Sequence, residues 1–168
     1  MLTYEASSRA PVEEAWSLIA RPGRWHEWAP HVRGAWSLGS PEVRRGARGA
    51  ARLLGAIPVP ARVMAKRPGR SWTWRVGPVD IVHRVAPAPG RASGSIVAVD
   101  LIAPRALEAL LALSYGPVVA LLVHNLARAA GARRAEHGRR CAATTPAGGR
   151  GRRASGRGAR VLLGDRAA

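Results

Sequence analysis

Apolar and polar residues alternate at the start of the chain and then recur at helical spacing. Leu2, Tyr4 and Ala6 fall on one face of an extended segment, as in a half-buried strand. From Pro11 the apolar spacing changes to three and four, and acidic residues fill the opening turn. This pattern predicts a first strand over residues 2–8 and a short amphipathic helix that ends near Pro22.

A second short helix and a run of strands are predicted next. Trp25 and Trp28, three residues apart, would share one side of a helical turn within residues 24–30. Beyond them, short apolar segments are separated by Gly- and Pro-rich turns, which predicts an antiparallel meander. The six strands expected are Val32–Leu38, Ala47–Ala56, Val59–Lys66, Ser71–Val76, Val79–Val85 and Ser95–Ile102.

The longest helix is predicted from about Pro104 to Ala130, where leucine and valine recur at three and four. Gly116-Pro117 should bend or break it, because proline removes a backbone donor and clashes with the preceding turn. The uncharged run from Ala109 to Val123 is shorter than the roughly 20 residues of a membrane-spanning helix. A buried helix is therefore expected.

The composition changes after residue 130. Residues 131–168 are rich in Arg, Gly and Ala, with few large apolar side chains to offset the entropy of ordering them. The expected organisation is one folded domain over residues 1–130 and a basic, disordered tail over residues 131–168.

A net charge of +17 would ordinarily indicate a polyanionic partner. The excess is uneven, since the tail holds ten basic and two acidic side chains, and arginine outnumbers lysine 26 to one, as a GC-rich coding sequence would produce. Nucleic acid or an anionic membrane is thus expected as a partner only through the tail, which has no aromatic residue for base stacking.

Few features indicate metal or cofactor chemistry. Cys141 is the single cysteine, and neither it nor His26 and His31 belong to a set of residues with metal-ligand spacing. The glycines near Gly46 lack the lysine and the following helix of a phosphate loop. No metal or cofactor is expected, and the absence of a secretory pattern in residues 1–8 favours a cytoplasmic protein.

Several local motifs occur in a characteristic order. They are Ala10–Trp16, Pro22 with Trp25 and Trp28, Pro68–Trp74, His83–Val85 and Tyr115–Val119. In this order they resemble the START-like (SRPBCC) superfamily, in particular its polyketide cyclase/dehydrase branch, over residues 1 to about 130. The resemblance implies an α+β helix-grip fold, in which a curved antiparallel sheet of about seven strands wraps around a long C-terminal helix, with two short helices after the first strand. It also implies an internal cavity for lipids, polyketides or other apolar molecules, and it carries over no catalytic residue.

The candidate cavity residues follow from strand and helix geometry. Side chains two apart on a strand share a face, so Trp72 pairs with Trp74 and Ile81 with His83, each as cavity lining or as ordinary core. The small residues Ala112, Ser114, Gly116 and Ala120 of the terminal helix would leave a wedge beside the sheet. The full candidate set is Trp28, Trp72, Trp74, Ile81, His83, Tyr115 and Val119.

Three functions remain open from the sequence. The first is a non-catalytic carrier or sensor that encloses a hydrophobic small molecule. The second is a cyclase or dehydratase in which His83 or Tyr115 moves protons. The third is binding of a polyanion by the tail. The sequence leaves the ligand and the oligomeric state undetermined.

Overall fold

A computed structural model of the protein describes residues 1–54, 56–91 and 93–144, with side chains described as far as residue 132. The chain forms β1 (Leu2–Ser8), α1 (Val12–Ala20), a 3-10 helix (Pro22–Glu27), β2 (Val32–Trp36), β3 (Arg48–Leu53), β4 (Ile57–Arg67), β5 (Ser71–Val76), β6 (Val79–Pro87), β7 (Ser95–Ile102), α2 (Arg105–Ser114) and α3 (Gly116–Thr144). The predicted α+β helix-grip architecture, with its order of elements, is confirmed.

The strands form one seven-stranded antiparallel sheet in the order β1-β7-β6-β5-β4-β3-β2. The first two strands of the chain therefore lie at opposite edges, and α1 with the 3-10 helix connects them. In β1 the even-numbered side chains are more buried than the odd-numbered ones, as the alternating sequence predicts. Irregular register in β4, between Val63 and Ala65, and in β2 adds local bends.

Proline within β4 is a departure from the prediction. Pro58 was expected to separate two strands, but β4 begins at Ile57 and continues through it. Residues 57–61 of β4 pair with β3 on one side only, because the pairing with β5 starts at Arg62. Proline is tolerated there because a strand with one neighbour does not need the missing N–H for its ladder.

The terminal helix is interrupted where the sequence predicts. The axes of α2 and the first part of α3 differ by 64° across the break at Tyr115. Pro117 lies in the opening turn of α3, where its missing N–H costs no helical hydrogen bond. Within the described ranges no single helix is long and apolar enough to cross a membrane, whereas this bent pair passes that test when its two helices are taken together.

The end of the terminal helix differs from the prediction. It was expected near Ala130, but α3 continues to Thr144. Residues 131–144 lack large apolar side chains, which disfavours their packing against the domain. They are rich in Ala and Arg, which are strong helix formers, so the helix can continue without such packing. The remaining residues of the predicted tail, 145–168, lie outside the described residues, and the domain boundary at residue 130 stays a prediction.

Candidate ligand-binding cavity

A cavity of about 350 Å³ lies between the concave face of the sheet and the terminal helices. Its wall is formed by Trp28, Ala29, His31, Val32, Ala51, Leu53, Val59, Trp74, Val76, Val79, Ile81, His83, Val99, Leu101, Leu111, Tyr115, Val119, Leu122 and Val123. The volume is at the lower end of the range for small-molecule sites, roughly 300–1,000 Å³. Every strand from β2 to β7 contributes to the wall.

Six of the seven candidate residues lie in this wall. They are Trp28, Trp74, Ile81, His83, Tyr115 and Val119. Strand register explains why the sheet residues meet, since Trp74 lies opposite Ile81 and His83 lies opposite Val99 on paired strands. The alternation within β5 and β6 grouped the residues that share a face, but it did not determine which face points inward.

The seventh candidate, Trp72, does not line the cavity, so this assignment was wrong. Its indole shares the inward face with Trp74 but is only 1% exposed. It is stacked with the rings of Trp25 and His83, with centroid distances of 5.8 and 4.5 Å and planes within 5° of parallel in both cases. Trp25 from the 3-10 helix covers this end of β5, which strand alternation alone does not reveal.

The wall formed by the terminal helix also differs in detail from the expectation. Val119 and Val123 of α3 are buried and face the cavity, whereas Ala120 is exposed and lies outside the wall. Gly116 does not leave open space, because the Tyr4 hydroxyl oxygen would lie 2.5 Å from a Cβ at that position. The small residues of the two helices do not line the cavity, and the helical part of the wall is formed by Leu111, Tyr115, Val119, Leu122 and Val123.

The aromatic residues at one end of the cavity differ in how their polar atoms are satisfied. The indole N–H groups of Trp25 and Trp28 donate to the carbonyl oxygens of Ile19 and Leu18, at 3.0 and 3.1 Å. These carbonyls belong to the last turn of α1, where helical partners are missing. The indole nitrogens of Trp72 and Trp74 are buried without a hydrogen-bond partner among the described residues.

His83 is the most strongly perturbed titratable group in the wall. Its imidazole is buried, and this burial lowers the pKa from 6.5 to about 3, with Asp100 offsetting the effect only in part. Its Nδ1 atom has no hydrogen-bond partner within the described ranges. The imidazole is therefore neutral near pH 7.

Asp100 lies on the opposite side of the sheet from His83. Burial alone would raise the pKa of Asp100, but hydrogen bonds from Arg84 and Thr3 hold it below its usual value. Arg84 makes two such bonds, at 2.7 and 2.8 Å. This carboxylate is therefore already paired and is not a second polar group for the cavity.

Tyr115 occupies the break between α2 and α3. It remains 39% exposed although it contributes to the wall, so it lies where the cavity approaches solvent. Partial burial raises the pKa of its phenol. Tyr115 can therefore act as a neutral hydrogen-bonding group near neutral pH.

The sequence analysis missed the part of the wall that lies at the β2 edge of the sheet. These residues are His31, Val32, Ala51, Leu53 and Val59. Alternation in β3 could have grouped Ala51 with Leu53, and the short turn to β4 could have placed Val59 opposite Ala51. That these side chains face the long helix depends on sheet curvature. Within the described ranges, no group of three or more His, Cys, Asp or Glu side chains could hold a metal ion.

Known proteins share both the sequence pattern and the fold. Residues 1–138 match the family described as "Polyketide cyclase / dehydrase and lipid transport". No curated protein matches the chain.

Three solved structures illustrate the similarity of fold. CalU16 from Micromonospora echinospora has a TM-score of 0.52 and 16% identity, with 84% of this chain and 85% of that chain covered. DR_A0006 from Deinococcus radiodurans has a TM-score of 0.52 and 19% identity, with 82% and 98% covered. DynU16, described as a protein in the dynemicin biosynthetic locus, has a TM-score of 0.54 and 21% identity, with 74% of this chain and 46% of that chain covered.

At these identities the structural similarities establish the fold and no more. The family match extends from the first strand into α3 and so includes every element that forms the cavity. The chain therefore belongs to the polyketide cyclase/dehydrase and lipid transport family.

Proposed function

We propose that the protein binds a hydrophobic small molecule in this cavity and acts as a non-catalytic carrier or sensor. The observation that carries the proposal is the cavity itself, about 350 Å³ in volume and lined mainly by valine, leucine, isoleucine and aromatic side chains. Burying apolar ligand surface against such a wall contributes roughly 25 cal/mol per Å² before the costs of association. A lipid-, polyketide- or aromatic-like molecule suits this lining.

A cyclase or dehydratase is supported less well by the chemistry of the wall. Such a reaction needs a group that exchanges protons near the working pH. An imidazole with a pKa of about 3 is a weak base, and a phenol whose pKa is raised is a weak acid. Among the described lining residues there is no carboxylate, lysine or arginine to assist them, and the one further titratable side chain is the imidazole of His31.

The proposal is tested by filling the cavity from the helix side. Val119→Trp places an indole at a position where the valine side chain faces the cavity. The same substitution at exposed Ala120 changes only the outer face of α3. Binding of the neutral fluorescent probe N-phenylnaphthylamine should be lost in the first variant and retained in the second. Thermal melting shows whether both variants fold. If Val119→Trp does not fold, Val119→Phe fills the cavity with a smaller ring.

Two outcomes would contradict the proposal. One is the absence of probe binding to the unmodified protein, and the other is equal binding to the Val119 and Ala120 variants. If the probe binds as expected, mass spectrometry of molecules that co-purify with the protein identifies the class of natural ligand. Turnover of a co-purified molecule would favour a cyclase or dehydratase over a carrier or sensor.

A further inference from the structure

Most of the exposed large apolar side chains lie at one end of the sheet, which we call the open end. It consists of residues 1–2, 53–54, 56–59, 76–80 and 102–115. Strand register brings these segments together, since Leu2 and Asp80 lie opposite the last residues of β7, and the β3–β4 turn is on the same side as the β5–β6 turn. The exposed apolar side chains here are Met1, Leu54, Ile57, Ile102, Leu110, Leu113 and Tyr115.

The helix α2 contributes the most exposed of these side chains. Four of its ten residues are leucine, yet none of its residues is buried, and Leu113 is 84% exposed. Leu111 lines the cavity, whereas Leu110 and Leu113 are exposed and leave a second apolar side of α2 without a partner among the described residues. An amphipathic helix normally packs its apolar side against another element. Exposed apolar patches of this kind mark sites that contact another surface.

The cavity approaches solvent at the open end. Its wall includes residues from both hairpin turns and from the break between the helices, namely Leu53, Val59, Val76, Val79 and Tyr115. Tyr115 remains partly exposed. The unpartnered leucines of α2 therefore lie beside the place where the cavity reaches the surface. An apolar phase that covered this place would spare an apolar molecule passage through water.

The charges of the open end favour an anionic partner. Both of its carboxylates are already paired, since Asp80 accepts two hydrogen bonds from Arg75 and Glu108 pairs with the amino group of Met1. Three arginines at or next to this end are exposed and form no ion pair with a described residue: Arg33, Arg62 and Arg105. Two copies of the domain joined at the open end would bring these cations together, whereas anionic lipid head groups would neutralise them.

We propose that the open end docks on an anionic membrane surface, with Leu54, Leu110 and Leu113 inserted below the lipid head groups and the exposed arginines at the level of the phosphates. Such shallow insertion needs an apolar side flanked by cations and no spanning helix. The inference goes beyond the proposed function, because docking does not depend on what the cavity binds. It also differs from the expectation that an anionic membrane would be reached only through residues 131–168.

A fluorescent label at the open end tests this orientation. In the full-length protein, Cys141→Ser removes the single cysteine, and a nitrobenzoxadiazole group is attached through Leu113→Cys or, at the opposite end of the sheet, through Arg70→Cys in the β4–β5 turn. Vesicles of equal parts phosphatidylcholine and phosphatidylglycerol are then added. Emission of the label in α2 should gain intensity and move to shorter wavelength as the label leaves water, whereas the label in the β4–β5 turn should not change.

Matched variants assign vesicle binding to the exposed leucines. Leu110→Gln combined with Leu113→Gln keeps good helix formers in α2 and should weaken binding to these vesicles by about tenfold or more. Trp36→Gln removes an exposed apolar side chain away from the open end and should change the affinity by about twofold or less. Co-sedimentation at raised salt measures the affinities, because salt screens the attraction of the arginines in residues 133–168.

Other outcomes would overturn the inference. Vesicle binding without a change in the label in α2 would assign the binding to the basic C-terminal residues. A change in that label without lipid, increasing with protein concentration, would indicate a second copy at the open end. Equal binding to vesicles of phosphatidylcholine alone would contradict the anionic surface, and equal affinities of the leucine and Trp36 variants would contradict insertion. Binding of N-phenylnaphthylamine without vesicles tests the proposed function separately.

Discussion

The imidazole of His83 stacks on the indole of Trp72, with ring centroids 4.5 Å apart and planes within 5° of parallel. The two residues are direct cross-strand partners on β6 and β5. Trp25 is also stacked on this indole, with centroids 5.8 Å apart, so Trp72 contacts one ring from the 3-10 helix and one from the cavity wall. The stack joins the folded core to the site, because Trp72 is core while His83 belongs to the wall.

The stack should make Trp72 more important for stability than for binding. Trp72→Ala removes a fully buried ring and should lower the free energy of unfolding by about 3–5 kcal/mol, as for other large-to-small core substitutions. Urea unfolding followed by circular dichroism measures this loss. Trp36, which is 44% exposed at the edge strand, provides the control, since Trp36→Ala should cost about 1 kcal/mol or less. Similar losses at both positions would show that the stack contributes little.

Burial of His83 predicts a specific loss of stability in mild acid. The folded-state pKa of about 3 lies below the unfolded value of 6.5, so between these two values the unfolded chain binds a proton that the folded protein does not. The stabilising effect of the neutral imidazole is therefore present above pH 6.5 and is lost as the pH falls towards 3. The free energy of unfolding should decrease by up to about 1.4 kcal/mol per pH unit as the pH falls between about pH 6 and 5, above the ordinary pKa values of Asp and Glu carboxyls.

The His83→Phe variant separates this effect from other titrations. Phenylalanine retains a ring against Trp72 but has no titrating group, so the slope of stability against pH over that interval should be smaller by about 1.4 kcal/mol per unit. The measurement is a series of urea unfolding curves at fixed pH for both proteins. Parallel slopes would show that His83 titrates normally in the folded state.

The sequence predicted those parts of the fold that depend on short-range periodicity. Strand alternation grouped Trp72 with Trp74 and Ile81 with His83, and Gly116-Pro117 marked the break in the terminal helix. Neither result needs knowledge of which elements meet. The errors at Trp72 and Ala120 arose where facing depends on a distant element, since Trp25 covers Trp72 and the rotation of α3 after its bend determines which side chain faces inward.

Hydrogen-bond satisfaction could not be predicted from the sequence at all. Four indoles lie in or beside the cavity, and composition treats them alike. The structure separates Trp25 and Trp28, which reach the last carbonyls of α1, from Trp72 and Trp74, which do not. That difference arises from the position of α1 over the sheet, which is a tertiary property.

The basic C-terminal segment is predicted to be separable from the folded domain. The described buried side chains of α3 end at Ala130. A chain that stops at Ala132 should therefore melt within a few degrees of the full-length protein. It should also lose retention on heparin at moderate salt, because ten of the removed side chains, all within residues 133–168, are arginines and each phosphate-like contact releases counterions. A large fall in melting temperature would contradict the boundary, and equal retention of both chains would contradict a polyanion-binding role.

The contact between Gly116 and Tyr4 is predicted to fix the position of the helix break over the first strand. A Cβ at position 116 would lie 2.5 Å from the Tyr4 hydroxyl oxygen but 3.5 Å from the ring carbon that bears it. Gly116→Ala should therefore lower the free energy of unfolding by about 1–3 kcal/mol in the unmodified protein, the usual cost of overpacking.

The same substitution should cost much less in a Tyr4→Phe background, because the clashing oxygen is gone and the remaining contact is an ordinary van der Waals distance. A double-mutant cycle by urea unfolding measures this coupling, which should be at least about 1 kcal/mol. Gly23→Ala is the control, because nothing lies within 4 Å of a Cβ there and its backbone is not in the left-handed region. If Gly116→Ala is as harmless as Gly23→Ala, or if its cost is the same with and without the Tyr4 hydroxyl, the break is not positioned by this contact. Pro117 in the opening turn of α3 and the buried side chains of Val119 and Val123 would then be the features that position α3 after the break.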